Sequence, residues 1–230
     1  MTAPPVLAPA HRATLCDLLE QQNRDFAAAD QVFQNIARLR NGAGAVVTGQ
    51  QVTLFGGPLF TLLKAATVIR KAKDASASGS PHVPIFWLAT EDHDLAEVDH
   101  VILPSRHELK TLRLTTGHAG GAAVGGLTMG KNVEELLAQA GEILGPGPVL
   151  DQLAACYREG QTLGQAFGQF IAHIFAAQGL VVVDASSRDF HALGSDVLRQ
   201  AIVRADELRV AITAVSYTHL LLQRGLARQY

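Results

Sequence analysis

From His11 to Arg40 the apolar residues Leu15, Leu18, Leu19, Phe26, Val32, Phe33, Ile36 and Leu39 recur mainly at helical spacing, which predicts one long or broken amphipathic helix. Asn41-Gly42-Ala43-Gly44 ends it, since glycine takes the left-handed conformation required just past a helix terminus. The pattern then changes to a short continuous run, Ala45-Val46-Val47, apolar on both faces as a covered parallel strand must be. Polar Thr48-Gly49-Gln50-Gln51 follows and reads as a loop; past Gly56-Gly57-Pro58 the helical pattern returns and predicts a helix over Pro58–Lys73. Pro58 suits a first helical turn, where its missing N–H costs nothing, and the free backbone donors there attract anionic groups.

Farther on, Asp74-Ala75-Ser76-Ala77-Ser78-Gly79-Ser80 lacks periodicity and reads as a surface connection. Val83–Ala89 has the length and composition of a buried strand, and Val98–Leu103 and Leu109–Leu114 are predicted as two more, turned at Pro104-Ser105-Arg106. A glycine-rich loop over Gly117–Gly130 leads to a helix over Val133–Leu144, stopped by Gly145-Pro146-Gly147-Pro148. Val149–Gln178 reads as one helix with an apolar stripe through Leu150, Leu153, Tyr157, Phe167, Phe170, Ile171, Ile174 and Phe175. Leu180–Val183 is a further buried-type strand ending in Asp184-Ala185-Ser186-Ser187; a helix from Arg188 to Ala205 and a helical tail to Tyr230 complete the chain. Alternating strands and helices predict an α/β domain with a largely parallel sheet. The expected organisation is a helical segment over 1–44 packed on the core, the core itself over 45–205 with a connecting segment inserted at about 104–148, and a helical tail over 206–230.

Two consecutive predicted strands thus end in dense polar clusters. If they are parallel neighbours joined by the Pro58–Lys73 helix, the right-handed crossover puts both clusters on one sheet edge, where open α/β sheets bind ligands. Thr48, Gln50 and Gln51 offer a hydroxyl and two amides, suited to a hydroxyl- or carboxylate-rich ligand but supplying no strong base; a well-capped connection is the plain alternative. Glu91-Asp92-His93-Asp94 sets three carboxylates around one imidazole, which fits acid/base or substrate-orienting work, metal binding, or a solvated acidic turn. On a helix His93, Glu97 and His100 would share a face, yet that spacing matches no standard zinc helix, so no metal ligand is assigned. Gly125–Lys131 spells G-x-x-x-x-G-K, but Asn132 stands where a phosphate loop needs Ser or Thr, and no strong strand leads in. Asp184 could reach a ribose or sugar hydroxyl or simply cap the following helix.

Composition narrows the partners. With 19 basic and 21 acidic side chains the net charge is −2, so no field draws nucleic acid or acidic lipid to this chain. The two cysteines, Cys16 and Cys156, sit far apart in helix-like sequence and read as packing residues rather than a disulfide or zinc framework. No apolar run is long enough to span a bilayer, and the first ten residues lack a secretory pattern, so the cytoplasm is the expected location.

The pair VVTGQQVTLFGGPLFTLLKA and VPIFWLATEDHDLAEVDHV, at this separation, resembles the bacillithiol biosynthesis cysteine-adding enzyme family, BshC, and GLVVVDAS resembles a later strand of the same family. The resemblance implies a Rossmann-like core related to class I aminoacyl-tRNA synthetases and other nucleotidyl transferases, followed in full-length members by a coiled-coil domain that this chain lacks. It further implies a ligase that joins L-cysteine to glucosaminyl malate through an amide bond, with activation by ATP or another nucleotide, and a homodimeric full-length protein. Carried over by position, Thr48, Gly49, Gln50, Gln51, Gly57, Pro58 and Lys64 match the first motif as substrate-binding residues. Glu91, Asp92, His93 and Asp94 match the second as the catalytic cluster, with His93 expected to accept a proton with support from Asp92 or Asp94. A non-catalytic ligand-binding domain and a metal-dependent hydrolase centred on Glu91–Asp94 are the competing readings.

Overall fold

The computed structural model describes residues 9–115 and 122–219, so most of the proline-rich start, the first five residues of the glycine-rich loop and the end of the tail lie outside the described residues. The predicted first helix is broken into α1 (Pro9–Asp25) and α2 (Asp30–Arg40) by a turn in which Ala27 takes φ 52°. The break lets Cys16 and Leu19 of α1 and Val32, Ile36 and Leu39 of α2 all be buried. Gly42, at φ 99°, releases the chain into β1 (Gly44–Gln51).

Thr48-Gly49-Gln50-Gln51 is not a loop: β1 runs through all four residues, paired in parallel with β2 (His82–Ala89) from Gly44↔His82 to Gln51↔Ala89. Backbone pairing to a neighbour overrides the weak strand propensity of glutamine and glycine. The connection lies later, at Val52–Pro58, and leads into α3 (Leu59–Ala77), with Pro58 as the residue just before the helix. The helix also runs past its expected end, because Arg70 and Asp74 form an i,i+4 ion pair and alanines fill the last turn.

After β2 the chain makes a one-turn helix, α4 (Leu95–Val98), where strand was expected to begin. Then β3 (His100–Pro104) and β4 (Leu109–Arg113) form a separate antiparallel pair. Three helices follow, α5 (Asn132–Leu144), α6 (Pro148–Cys156) and α7 (Leu163–Ile174). The last two replace the single helix expected over 149–178: the chain goes extended at Tyr157, turns through Gly160 at φ 79°, and restarts where Thr162 Oγ1 accepts the Gln165 N–H. Finally β5 (Val181–Asp184) pairs in parallel with β2, giving the sheet order β1-β2-β5.

Phe86, Leu88 and Val182 of the sheet share one core with Ala65 and Val68 of α3 and with Phe167, Phe170 and Ile171 of α7. Val83, Val181 and Val183, at positions of opposite parity, are buried beside α1 and α2. β1 is an edge strand, and its Val47 is 54% exposed, so the expectation of a strand covered on both faces fails there. The opposite edge is closed by side chains of α1. Asn23 Nδ2 donates to the Val182 carbonyl (2.8 Å) while its Oδ1 accepts the Val182 N–H (3.1 Å), and Gln22 does the same for Asp184 at 2.6 and 3.1 Å. Two amide side chains therefore stand in for a neighbouring strand along β5.

Among the described residues, 188–219 form a second compact unit, containing α8 (Arg188–Val203) and α9 (Ala205–His219). Local ion pairs, Arg204–Glu207 and Arg209–Asp206, sit at i,i+3 spacing there.

Candidate active site

Because β1, β2 and β5 are parallel and in register, their C-terminal ends, Gln51, Ala89 and Asp184, arrive at one sheet edge. Thr90–Asp94 begins at that edge. Gln51 Nε2 donates to Asp92 Oδ2 and to Glu97 Oε2, each at 2.7 Å, so an amide at the end of β1 ties together two carboxylates from the segment after β2. Side chains alternate along a strand, and the neighbouring Gln50 accordingly goes elsewhere: its Oε1 accepts from Lys64 Nζ of α3 at 2.8 Å, and that ammonium also reaches the Gly49 carbonyl at 3.4 Å. The paired glutamines serve two different faces. Thr48 sits mid-strand opposite Phe86, set back from the edge, and Gly49 passes so close to Trp87 that a Cβ would stand 3.0 Å from its carbonyl.

Within the acidic cluster the roles divide. Asp92 is held below the usual carboxylate range, first by the Asp94 N–H (3.0 Å) and then by Gln51, so it is a fixed anion. Asp94 stands just before α4, and Asp94, His93 and Glu91 are exposed. The His93 backbone N–H and the charge of its ring add to the lowering of Asp92, while among the described residues no hydrogen bond joins the ring itself to Asp92 or Asp94; the side-chain oxygens of Asp92 go to Gln51 and the Asp94 amide. Asp184 accepts Thr90 Oγ1 (2.6 Å) and the Ser186 N–H (2.9 Å) on the same Oδ1, which fastens the end of β2 to the end of β5.

The G-x-x-x-x-G-K stretch turns out to be part of this edge. Gly125 N–H donates to the Thr90 carbonyl at 2.9 Å and Val124 N–H to that of Asp92 at 2.7 Å. A Cβ on Gly125 would come within 2.4 Å of Thr90 Cβ. The stretch is thus a packed strut under the acidic turn, entered through a short 3-10 turn at Val124–Gly126 rather than from a strand, and it has no phosphate-loop geometry.

Two features were missed in the sequence. Tyr157, fully buried between α6 and α7, donates its hydroxyl to the Thr53 carbonyl (3.0 Å) and accepts the Gly56 N–H (2.9 Å), fixing the connection from β1 to α3. Its place in an apolar stripe disguised it as ordinary core. The second is a cleft of about 280 Å³ beside that connection, where Gly57 and Pro58 meet Glu97, His100, Val101 and Ile102.

No group of three or more His, Cys, Asp or Glu side chains gathers around a metal-sized site among the described residues, His93, Glu97 and His100 included. Nor do they form a phosphate cradle. Gly56 and Gly57 are required by packing, since Cβ atoms there would meet the Phe170 ring at 2.4 Å and Thr53 Oγ1 at 2.3 Å, and Lys64 is already engaged. No helix among the described residues is long and apolar enough to cross a membrane. Both cysteines are buried and unpaired, and burial pushes their thiols up.

Residues 6–224 match the profile described as bacillithiol biosynthesis BshC, N-terminal Rossmann-like domain. The chain belongs to the BshC family. The BshC protein of Koribacter versatilis is 41% identical over 206 residues, covering 89% of this chain and 38% of the relative. That of Solibacter usitatus is 36% identical over 219 residues, covering 94% and 39%, and that of Geobacillus thermodenitrificans is 32% identical over 210 residues, covering 88% and 39%. All three bear the name of a cysteine ligase. The chain therefore spans somewhat under two fifths of the BshC relatives it matches, and the parallel sheet with flanking helices is the Rossmann-like part of the family.

Proposed function

We propose that this chain carries the substrate-orienting edge of a BshC ligase that joins the carboxyl group of L-cysteine to the amino group of glucosaminyl malate. The observation that carries this reading is the Gln51–Asp92–Glu97 arrangement at the C-terminal edge of a parallel sheet. It is rigid, polar and anionic, suited to holding ammonium and hydroxyl groups of a small substrate. Amide formation from a free carboxylate requires activation, which ATP supplies as co-substrate; the residues of this chain contribute orientation and proton handling.

The attacking amine must lose a proton. Asp92, held in its ionised form by two donors, is a poor acceptor, and Asp184 is occupied by Thr90 and Ser186. His93 is exposed on the same turn with an imidazole, the side chain best matched to accepting a proton near neutral pH. His93 is accordingly assigned as the proton acceptor, with Gln51 and Asp92 orienting the amine and Lys64 steadying β1 through Gln50. The small-molecule substrates, ATP included, belong to the cytoplasm.

The test uses a full-length family member, such as the Koribacter versatilis protein. Mass spectrometry of a reaction with ATP, L-cysteine and glucosaminyl malate reports the product and the nucleotide leaving group together. Replacing the histidine equivalent to His93 with alanine is expected to lower turnover about 10²-fold or more. Undiminished turnover would remove the base assignment, and absence of the amide product would remove the ligase reading.

A further inference from the structure

The first strand of the chain is left at the rim of the sheet, and its backbone shows which side is unpaired. The Gly44 N–H donates to the Pro81 carbonyl at 2.9 Å. By strand alternation the peptide groups of Val46, Thr48 and Gln50 also face β2, and those of Ala45, Val47 and Gly49 point out of the sheet. Among the described residues no strand pairs with β1 on that side; a lysine stands there instead, with Lys64 Nζ 3.4 Å from the Gly49 carbonyl. Apolar side chains flank this edge on both faces. Gln50 points to α3, where its Oε1 meets Lys64, so Val47, of opposite parity, lies on the other face, and it is 54% exposed. On the α3 side the Phe60 ring lies 5.1 Å from Lys64 Nζ, beside the same edge, and is 61% exposed; Leu59 and Leu63 are exposed with it. On the Val47 face α1 and α2 cover chiefly β5 and β2. An unpaired edge flanked by uncovered apolar groups is a template for another strand.

The chain order says which kind of strand fits. From β5 inward the sheet reads third, second, first strand, and the helices of both crossovers, α3 and α7, share the core on one face. That is one half of a doubly wound sheet, whose other half begins with a parallel strand laid beside the first. The stretch matched here covers 38–39% of the BshC relatives and corresponds to a domain described as N-terminal, so most of the remaining length of those proteins follows it. We propose that the free edge of β1 is the seat of a further parallel strand, supplied by the part of the longer BshC proteins that follows this stretch, with Val47 and Phe60 buried on either side of it. The strand order then reverses at β1, which is where open α/β sheets form their ligand crevice, so the incoming strand supplies a second wall to the site that begins at Gln51 and Asp92. A second copy of this chain is the competing occupant. Two copies related by a two-fold axis pair β1 antiparallel, which does not continue the order β5-β2-β1.

Amide hydrogen exchange of this chain and of the full-length Koribacter versatilis protein tests the assignment. In this chain the outward amides of Ala45, Val47 and Gly49 are expected to exchange fast, and those of Val46 and Thr48, bonded to β2, slowly. In the longer protein the equivalents of the three outward amides are expected to slow by about 10²-fold or more. Val47→Pro removes an outward N–H and spares the pairing with β2, so the substitution, made also at the equivalent position of the longer protein, should lower the melting temperature there by at least about twice as much as in this chain. Outward amides that exchange equally fast in the two proteins, or equal melting shifts, would overturn the proposal. So would slow exchange in this chain that depends on its concentration, because a second copy would then hold the edge. None of these readouts involves turnover, so a failed ligase assay leaves the edge assignment standing, and failure of the edge assignment leaves the ligase reading standing.

Discussion

Replacing Tyr157 with phenylalanine isolates the hydrogen bonds that hold the β1–α3 connection in place. The ring is fully buried and packs edge-on to Phe55 with centroids 5.2 Å apart and against Phe170 at 6.2 Å. Phenylalanine keeps those contacts and removes one oxygen. That oxygen donates to the Thr53 carbonyl and accepts the Gly56 N–H, and Gly56 is buried, so the variant strands a backbone donor out of reach of water. A buried unsatisfied group costs about 1–3 kcal/mol and a lost hydrogen bond about 0.5–1.5 kcal/mol, which together predict a loss of about 1.5–4.5 kcal/mol. At about 2–4 °C per kcal/mol for a unit of this size, the melting temperature should drop by roughly 3–18 °C, read by circular dichroism alongside urea titration. The pH dependence adds a second arm. Burial pushes the Tyr157 phenol above the usual tyrosine range, so in alkali the unfolded chain loses this proton while the folded chain keeps it. Stability from this group is complete below about pH 10 and declines as pH rises beyond it, so the gap between the wild-type chain and Tyr157→Phe should narrow there. A loss under about 0.5 kcal/mol at neutral pH would show that the hydroxyl does not anchor the connection.

The side-chain closure of β5 predicts that Asn23→Ala lowers stability by about 2–4 kcal/mol and speeds hydrogen exchange at the Val182 amide; slow exchange in the variant would mean that something else covers that edge. Gln51→Ala should raise the Asp92 carboxyl only part of the way to its ordinary value, because the Asp94 N–H is the larger influence and remains. Since the folded-state value lies below the unfolded one, Asp92 stabilises the fold above about pH 4 and loses that contribution as pH falls, and the variant should lose less in acid. Carboxyl chemical shifts followed through an acid titration would measure it. Gly125→Ala should cost about 1–3 kcal/mol by driving a methyl into Thr90, whereas Gly126→Ala, with nothing within 4 Å of its Cβ, should be close to neutral; equal melting temperatures for the two would contradict the close packing under the acidic turn.

The sequence alone carried the architecture well where periodicity was strong. The alternation of apolar runs with helical stripes was enough for the α/β class with a largely parallel sheet; that the first two strands are parallel neighbours with their polar ends at one edge was a conditional expectation, and the pairing of β1 with β2 meets the condition. It failed where a local pattern had two readings. Thr48–Gln51 looked like a loop because glutamine and glycine are poor strand formers, and only pairing with β2 made it strand. The stripe over 149–178 looked continuous because α6 and α7 both bury the same kind of residue, while the break at Tyr157–Thr162 depends on Gly160 and the Thr162 cap.

The chemistry divides in the same way. The motifs around Gln51 and Glu91–Asp94 were visible as residue types at strand ends, because parallel topology alone brings such ends together. Which partners they take was not. That Gln51 clasps Asp92 and Glu97 while Gln50 turns to Lys64 follows from strand alternation once the register is known, and that Asp92 is held by the Asp94 amide and Gln51 depends on how the turn after β2 is folded. The cleft at His100, the anchoring hydroxyl of Tyr157 and the closure of β5 by Gln22 and Asn23 join positions separated along the chain by tens to more than a hundred residues. Sequence fixes periodicity, and hence elements and their ends; contacts between distant side chains depend on register and on which helix covers which face, and those were decided only by the packed tertiary structure.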